Sequence, residues 1–314
     1  MYTIKCDYLS DFKRITLLNS ITGEHVSIVP SYGGNVMTMV LDNENELFNI
    51  IEADISKQKL VENCCHRNAK LFPFPNRISD GKYTVNGNTF QLAINQKAEN
   101  NAIHGFVFDK PFKVVESVAD DNMAMLLLEY NYDGTIDGYP FLFNLQIQYK
   151  LSKEGFKMKT TVVNTGNANL PMGDGWHPYF SLNQLVNDHY LELPSSKRIL
   201  VDNRMIPTGE FQIYDTFNEL TIIGDTKLDD GFLIEGRQKS VTKLRNEFKD
   251  ITINVWQDSN TDAYNYLQIY IPPNRMSIAI EPMSCSTNAF NNGKGLTMLN
   301  SNEKFEASCG VFLS

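Results

Sequence analysis

Several features that mark particular classes of protein are scarce or missing in this chain of 314 residues. No apolar segment approaches the roughly 18 residues that cross a bilayer, and the first residues lack the basic stretch and apolar core of a signal peptide. The cysteines are odd in number and include no Cys-x-x-Cys pair: they are Cys6, Cys64, Cys65, Cys285 and Cys309. That usage is typical of reduced thiols. We therefore expect a cytoplasmic protein that neither enters a membrane nor needs disulfides.

Positive charge is also in deficit. The chain has 28 lysines and arginines against 37 aspartates and glutamates, which gives a formal net charge of -9. Such a field repels nucleic-acid phosphates and anionic membrane surfaces, and no run of like charges forms a binding tail. Small neutral ligands and other proteins remain as partners, and the sequence gives no reason to prefer a monomer over a homodimer.

Helical periodicity is scarce, whereas strand periodicity is frequent. Apolar and polar residues alternate from Phe141 to Leu151, and a second alternating run follows the turn at Ser152–Gly155, so the two runs predict a hairpin. Asn86-Gly87 predicts another hairpin, with a type I′ turn. Further strands are predicted at Val26–Val29, Val36–Leu41, Met125–Tyr132, Ile251–Trp256, Tyr266–Ile271, Ser277–Ile280 and Cys309–Leu313. The one helix that the pattern favours is short and spans Ser240–Phe248.

These patterns predict a single domain of the all-β class over residues 1–314, built as a large antiparallel sandwich with few short helices. No repeat, low-complexity tract or Pro/Ser-rich linker marks an internal boundary. Residues of a functional site must therefore come together from distant loops and strand ends.

Only five histidines are present, so each is a candidate for chemistry. His25 falls inside a strand pattern and His189 in a polar loop, where we expect structural roles. His66 follows two adjacent cysteines. Because adjacent side chains point apart and cannot readily chelate one metal as a Cys-x-x-Cys pair does, we expect no zinc site there.

His177 is held more firmly by its surroundings. A glycine-rich approach precedes it, and Pro178 forces it into an extended conformation, so its ring is not free. The flanking Trp176, Tyr179 and Phe180 could form the apolar wall that a pyranose favours, or simply a corner of the core. On this pattern alone both interpretations stay open.

Glu281 is the more informative carboxylate. Small and apolar residues alternate before it, which places Ser277, Ala279 and Glu281 on one face of a strand. We expect Pro282 to end that strand, so that Glu281 lies at a strand end and can reach a cleft. An exposed surface glutamate is the alternative.

Three further segments place polar groups beside turn-forming or aromatic residues: Asn76-Arg77, Asn101–Gly105 with His104, and Asp229–Phe232. Each is weak alone. Arg77 could equally be a structural ion-pair partner, and Asp229 with Asp230 could be a solvated turn.

In this order and spacing, the segments resemble motifs of the aldose 1-epimerase (galactose mutarotase) family. The more specific ones are the His-Pro-Tyr-Phe run at 177–180 and the late Glu-Pro at 281–282. The other similar segments are Pro75–Ile78 with its following hairpin, Asn101–Gly105, Leu228–Phe232 and Asn288-Ala289. The similarity extends from about Ser31 to the C-terminus.

The resemblance implies a single-domain β-supersandwich that interconverts the α and β anomers of a free aldose, such as galactose or glucose, without cofactor or metal. It implies that Glu281 is the general base for the anomeric hydroxyl and that His177 is the acid for the ring oxygen. The neighbouring carboxylate is then expected to raise the pKa of His177 and keep its imidazole charged.

The resemblance also implies roles for the remaining segments. His104 would orient the region of the ring oxygen, while Arg77, Asn76 and Asp229 would hold sugar hydroxyls. The choice between Asp229 and Asp230 stays open. Two departures from the family pattern, Phe106 after His-Gly and Trp176 before the histidine, are expected to enlarge the aromatic lining of the site.

Other functions remain possible at this stage. A hexose 6-phosphate would need cationic groups at its phosphate, and Arg77 and Arg275 could supply them. A glycosidase could use Glu281 with Asp229, although His177 would then have no role. A non-catalytic sugar-binding protein could share the fold. A serine or cysteine hydrolase is not expected, because no Gly-x-Ser-x-Gly motif is present and no cysteine has a recognisable base partner.

Overall fold

The computed structural model describes residues 1–53, 56–62, 65–236, 238–260 and 262–314, so Cys64 lies outside the described residues. The strands of the first part are β1 (Tyr2–Leu9), β2 (Phe12–Asn19), β3 (His25–Val29), β4 (Asn35–Asn43), β5 (Glu46–Asn49), β6 (Lys70–Leu71), β7 (Arg77–Ser79), β8 (Lys82–Val85), β9 (Asn88–Gln91), β10 (Asn101–Ile103), β11 (Lys113–Ala119) and β12 (Met123–Tyr132). The middle part contains β13 (Phe143–Ser152), β14 (Gly155–Asn164), β15 (Leu170–Met172), β16 (Gly175–Trp176), β17 (Tyr179–Phe180), β18 (His189–Glu192), β19 (Lys197–Val201), β20 (Pro207–Ile213) and β21 (Thr221–Ile222). The last part contains β22 (Asp229–Leu233), β23 (Lys239–Asn246), β24 (Ile251–Asp258), β25 (Tyr266–Tyr270), β26 (Ile278–Met283), β27 (Thr297–Leu299) and β28 (Lys304–Leu313).

Helical structure in the described residues is limited to short pieces, namely α1 (Lys57–Glu62), α2 (Ala289–Asn292) and a 3-10 turn at Val186–Asp188. Within the same ranges, no helix has the length and hydrophobicity of a membrane span. The all-β class predicted from the sequence is therefore confirmed.

Three large sheets form the sandwich within the described part of the chain. The largest has nine strands in the order β11-β12-β13-β14-β28-β24-β23-β18-β21. A second follows the path β20-β19-β22-β25-β26-β16-β6, with β17 paired to β26, and a third joins β1 to β5 in sequence order. Neighbouring strands run antiparallel, as predicted, and one large apolar cluster packs between the sheets.

Both predicted hairpins are present. Strands β13 and β14 pair from Phe143 opposite Asn164 to Ser152 opposite Gly155. Strands β8 and β9 are joined by Asn86-Gly87, whose φ angles of 50° and 78° are the positive values that a type I′ turn requires.

Three local expectations were wrong. The segment predicted as a helix at Ser240–Phe248 is mostly strand β23, in which Ser240, Thr242 and Leu244 are buried in strict alternation between β24 and β18. His189 begins strand β18 and is buried, so it does not lie in a polar loop. Pro282 does not end its strand: proline fits the φ angle of a strand, and β26 continues to Met283, which pairs with Gly175.

A buried ion pair joins the second sheet to the largest one. Lys70 Nζ donates to Asp174 Oδ2 and to Thr160 Oγ1, each at 2.6 Å, and Tyr264 Oη donates to the same carboxylate oxygen at 2.6 Å. The side chains of Lys70 and Asp174 are 1% and 0% exposed. Because water cannot reach either side chain, each charge is stabilised mainly by the opposite charge of its partner.

We expect the Lys70→Met variant to lose about 3 to 5 kcal/mol of unfolding free energy, because it leaves the Asp174 carboxylate buried without a counter-charge. The double variant Lys70→Met/Asp174→Leu should recover much of that loss, since it removes both charges. Urea unfolding of the wild type and both variants measures the difference. A loss below about 1 kcal/mol in the single variant would show that the pair is not needed as a pair.

Candidate functional site

One cavity of about 280 Å³ collects the six residues to which the sequence analysis gave a catalytic or sugar-binding role. It is lined by Cys65, His66, Asn76, Arg77, Asn95, Gln96, Ile103, His104, His177, Tyr179, Asp229, Gln268, Tyr270 and Glu281. Residues far apart in the sequence, such as Asn76 and Glu281, therefore line the same cavity.

The floor of the cavity is one face of the second sheet. Asp229 begins β22, Gln268 lies on the adjacent β25, and Gln268 stands directly opposite Glu281 of β26. His177 follows at the junction of β16 and β17, both of which pair with β26. The order across the floor is therefore Asp229, Gln268, Glu281 and His177.

Glu281 and His177 form the chemical centre of this floor. His177 Nε2 lies 3.4 Å from Glu281 Oε1, and the two side chains are 7% and 3% exposed. Among the described residues, neither Glu281 Oε2 nor His177 Nδ1 has a hydrogen-bond partner. The His177 ring is stacked on Tyr179, with ring centres 4.9 Å apart and planes 3° from parallel.

Burial controls the protonation of this pair. Loss of solvation lowers the pKa of His177 to about 3 and raises the pKa of Glu281 well above its ordinary value, with the Asp229 charge as a second cause for Glu281. The expectation that a neighbouring carboxylate keeps the imidazole charged was therefore wrong, because desolvation outweighs the attraction. Both shifts favour the neutral forms, so between these two pKa values the pair carries one proton, on the carboxyl group.

His104 is held by the backbone of Asn76. The Asn76 N–H donates to His104 Nδ1 at 3.2 Å, and the His104 N–H donates to the Asn76 carbonyl at 2.9 Å. Because Nδ1 accepts, a neutral ring carries its hydrogen on Nε2. Burial, followed by the charges of His66, His177 and Arg77, lowers the pKa of His104 well below its ordinary value, so the ring is neutral.

The loop after His104 requires glycine. Gly105 has a φ of +66°, and a Cβ atom there would lie 2.1 Å from the carbonyl oxygen of Phe72. This close approach fixes the turn that brings His104 over the sheet.

A chain of hydrogen bonds links the remaining polar groups. Gln268 donates to Asp229 Oδ1 at 2.9 Å and accepts from Asn76 Nδ2 at 3.3 Å. Arg77 in turn donates to Asn76 Oδ1 and to Gln96 Oε1, both at 3.0 Å. Every amide in this chain has a defined orientation, so the cavity presents a fixed set of donors and acceptors.

The two aspartates lie in different surroundings. Asp229 lines the cavity, whereas Asp230 points to the other face of the sheet, 3.6 Å from Arg198. Burial is the main cause of the raised pKa of Asp229, and the positive charge of Arg77 acts in the opposite direction and lowers it.

Other expectations about the surroundings were wrong. Trp176 is buried on the core side against Phe156, because alternation along the chain places it opposite to His177. Phe106 packs into the core against Tyr132 and does not line the cavity. Neither aromatic residue therefore enlarges the site.

Sequence reasoning missed other cavity residues. Gln268 could have been found by pairing the strand at 266–271 against Glu281, but the register is a tertiary property. His66 was set aside, yet its ring faces the cavity. Within the described ranges, no group of His, Cys, Asp and Glu side chains has the arrangement of a metal site.

Protonation of His66 should couple to folding. Burial lowers the pKa of His66 to about 4, whereas an unfolded histidine titrates near 6.5. The unfolded state therefore binds more protons below pH 6.5, and the stability gained from burying the neutral ring is lost as the pH falls toward 4.

We expect the unfolding free energy of the wild type to fall between pH 6.5 and 5, and that of the His66→Asn variant to fall less, by up to ~2 kcal/mol. Asparagine suits the backbone of His66, whose φ is +53°. Urea unfolding at a series of pH values measures both slopes. Equal slopes would mean that His66 does not titrate in this range.

The chain is similar to a known protein family and to several of its relatives. The profile of the family described as aldose 1-epimerase matches residues 13–311 of the chain. An uncharacterized protein of Escherichia coli, YihR, is 31% identical over 247 residues, which cover 75% of each chain. A maltose epimerase of Levilactobacillus brevis is 24% identical, over 60% of this chain and 65% of its own length.

Solved structures share the fold. A galactose mutarotase-like protein from Clostridium acetobutylicum superposes with a TM-score of 0.88 at 22% identity, covering 100% of this chain and 98% of its own. A galactose 1-epimerase from Lactobacillus acidophilus gives a TM-score of 0.81 at 18% identity, covering 100% and 98%. At these identities the likeness concerns the fold.

Proposed function

Because the chain belongs to the aldose 1-epimerase family, a family of isomerases, we propose that it interconverts the α and β anomers of a free aldohexose such as galactose or glucose. The observation that carries the proposal is the buried pair of Glu281 and His177, 3.4 Å apart on the floor of a cavity of about 280 Å³. Two proton-transfer groups side by side suit a reaction that removes one proton and supplies another.

The reaction begins with ring opening. Glu281 takes the proton of the anomeric hydroxyl, and His177 gives a proton to the ring oxygen as the bond from C1 to that oxygen breaks. The product is the open-chain aldehyde. Rotation about the C1–C2 bond presents the other face of the carbonyl, and reclosure with reversed proton roles gives the other anomer.

These roles require an ionised Glu281 and a protonated His177. Before the sugar binds, the proton lies on Glu281, so it must first move across the 3.4 Å gap from Glu281 Oε1 to His177 Nε2. Sugar hydroxyls that donate to the carboxylate stabilise its ionised form and so favour that transfer. The pair returns to its starting protonation at the end of each cycle.

The other cavity residues hold the sugar. The Nε2–H of His104 is available to the region of the ring oxygen, since Nδ1 is occupied by the Asn76 backbone. Arg77, Asn76 and Asp229 are fixed by their mutual hydrogen bonds and offer donors and acceptors to hydroxyl groups. This preorganisation lowers the entropic cost of reaching the reactive pose.

Charge in the cavity favours a neutral sugar over a sugar phosphate. Of the described residues that line it, Arg77 is the one cation, and it faces the carboxyl groups of Asp229 and Glu281. Arg275 lies elsewhere, with its donors taken by Asn187 Oδ1 and by the carbonyls of Thr226 and Gly224. A phosphate would need more cationic partners than this.

The names of relatives suggest which sugars to test. One relative is called maltose epimerase and another, from Homo sapiens and 29% identical over 43% of this chain, is called galactose mutarotase. A panel of glucose, galactose, maltose and glucose 6-phosphate therefore covers the neutral, disaccharide and phosphorylated alternatives.

We expect the wild type to speed the equilibration of freshly dissolved α-glucose or α-galactose, and the Glu281→Gln and His177→Asn variants to lose at least about a hundredfold in kcat/KM, because each loses a proton-transfer group. Polarimetry measures the rates. The His25→Asn variant, altered outside the cavity, serves as the matched control. If the wild type leaves every sugar of the panel at its spontaneous rate, the proposed activity is wrong.

The pH dependence should follow the single proton of the pair. Because burial places the pKa of His177 at about 3 and raises that of Glu281 well above its ordinary value, the pair keeps one proton across the interval between them. We expect kcat/KM to be level as the pH rises above the His177 pKa of about 3 and to fall as the pH rises through the Glu281 pKa. A profile corrected for buffer catalysis measures this. Activity that keeps climbing in alkali would mean that the fully deprotonated pair is the active form.

A further inference from the structure

His66 is a cavity histidine to which neither the sequence motifs nor the proposed chemistry gives a task. Its ring is held between two others, 4.8 Å from the His104 ring centre and 4.8 Å from that of Phe108, which it meets at 83°. Within the described part of the chain, no hydrogen bond engages the ring nitrogens of His66. A fixed ring that lines the cavity thus has a donor and an acceptor to offer a ligand.

The position of His66 relative to the reacting pair follows from the backbone. The Asn68 N–H donates to the His177 carbonyl at 2.9 Å, and the His177 N–H donates to the Ala69 carbonyl at 3.1 Å. The segment that carries His66 therefore lies beside His177 on the side opposite to β26 and Glu281. Across the floor, the order becomes Asp229, Gln268, Glu281, His177 and then the segment with His66.

This order can be matched to the order of atoms in a pyranose. The anomeric carbon carries the anomeric hydroxyl and the ring oxygen. The next atom beyond the ring oxygen is C5, which carries the exocyclic hydroxymethyl group, whereas the hydroxyl of C2 lies beyond C1 on the other side. With the anomeric hydroxyl at Glu281 and the ring oxygen at His177, the C5 substituent points toward the His66 side.

We propose that His66 is a specificity-determining residue that hydrogen-bonds the 6-hydroxyl of an aldohexose. The assignment rests on the proposed function, because it uses the roles of Glu281 and His177. A neutral imidazole suits this task, since the ring nitrogen that faces the hydroxyl group can either donate to its oxygen or accept its hydrogen, depending on the tautomer. Burial keeps the pKa of His66 at about 4, so the ring is neutral at physiological pH.

The consequence is discrimination at C5. A sugar without the 6-hydroxyl leaves His66 without that hydrogen-bond partner, which typically lowers kcat/KM about tenfold or more. The pentose that corresponds to each hexose, and the 6-deoxy sugar, should therefore be poorer substrates than the hexose itself.

The test compares D-glucose with 6-deoxy-D-glucose, D-xylose and 2-deoxy-D-glucose in the wild type and in His66→Asn, by polarimetry. We expect the wild type to lose about tenfold in kcat/KM on removal of the 6-hydroxyl. The variant should lose a similar factor on glucose but little on 6-deoxyglucose or xylose, so that its preference for the hexose nearly disappears. His25→Asn, a histidine of β3 bonded to the Gly23 carbonyl, should keep the wild-type preference.

Several results would overturn the inference. An equal loss on all sugars in His66→Asn leaves the preference for the hexose intact and would mean that the residue only supports His104. His66→Phe, which keeps a ring on His104 and Phe108, would then restore activity together with the wild-type preference. A loss of discrimination at C2 in place of C5 would mean that the sugar lies in the reverse direction. If the wild type equilibrates no sugar, the proposed function fails and the inference with it, a result distinct from an active enzyme whose preference ignores His66.

Discussion

The ion pair between Lys70 and Asp174 is the interaction on which the site depends, although neither residue touches the cavity. Lys70 stands opposite Trp176 where β6 pairs with β16, and the pair reaches Thr160 of the largest sheet. Asp174 is also fixed by its backbone, which exchanges hydrogen bonds with Ser284. A charged pair with no water has few alternative positions, so it sets the register of the chain that leads into His177. Strand alternation then turns the histidine toward the cavity.

Desolvation is the second constraint, and it gives the site its chemistry. The same burial that lowers the pKa of His66 and His177 raises those of Asp229 and Glu281. The cavity therefore suppresses separated charge and favours neutral donors and acceptors. That preference suits a sugar, which carries many hydroxyls and no charge, and it leaves one proton to move between two groups.

The sequence predicted what is decided locally. Alternation from Phe141 to Leu151 and the Asn86-Gly87 turn depend on neighbours in the chain, and both were correct. The Ser240–Phe248 segment was misjudged because its strand identity comes from pairing with two other strands. The pKa of His177 was misjudged for a related reason: the sequence shows the neighbouring carboxylate but not the depth of burial. The assignment of a single domain stays a prediction.

Some cavity residues lie on strands and others in turns, and this difference decides how well the sequence predicts their positions. Glu281 and Gln268 stand opposite each other on paired strands, so one register fixes both, although only Glu281 lies in a motif that the sequence reveals. His66 lies in a turn with a left-handed backbone, and contacts that the sequence does not show locate it: its ring packs on His104 and Phe108. The nearby Asn68 and Ala69 also form hydrogen bonds with the backbone of His177. In the proposed function, proton transfer tolerates little displacement and so suits residues on the sheet. The proposed recognition of an outer hydroxyl suits a turn, whose sequence can change without disturbing the hydrogen bonds between strands.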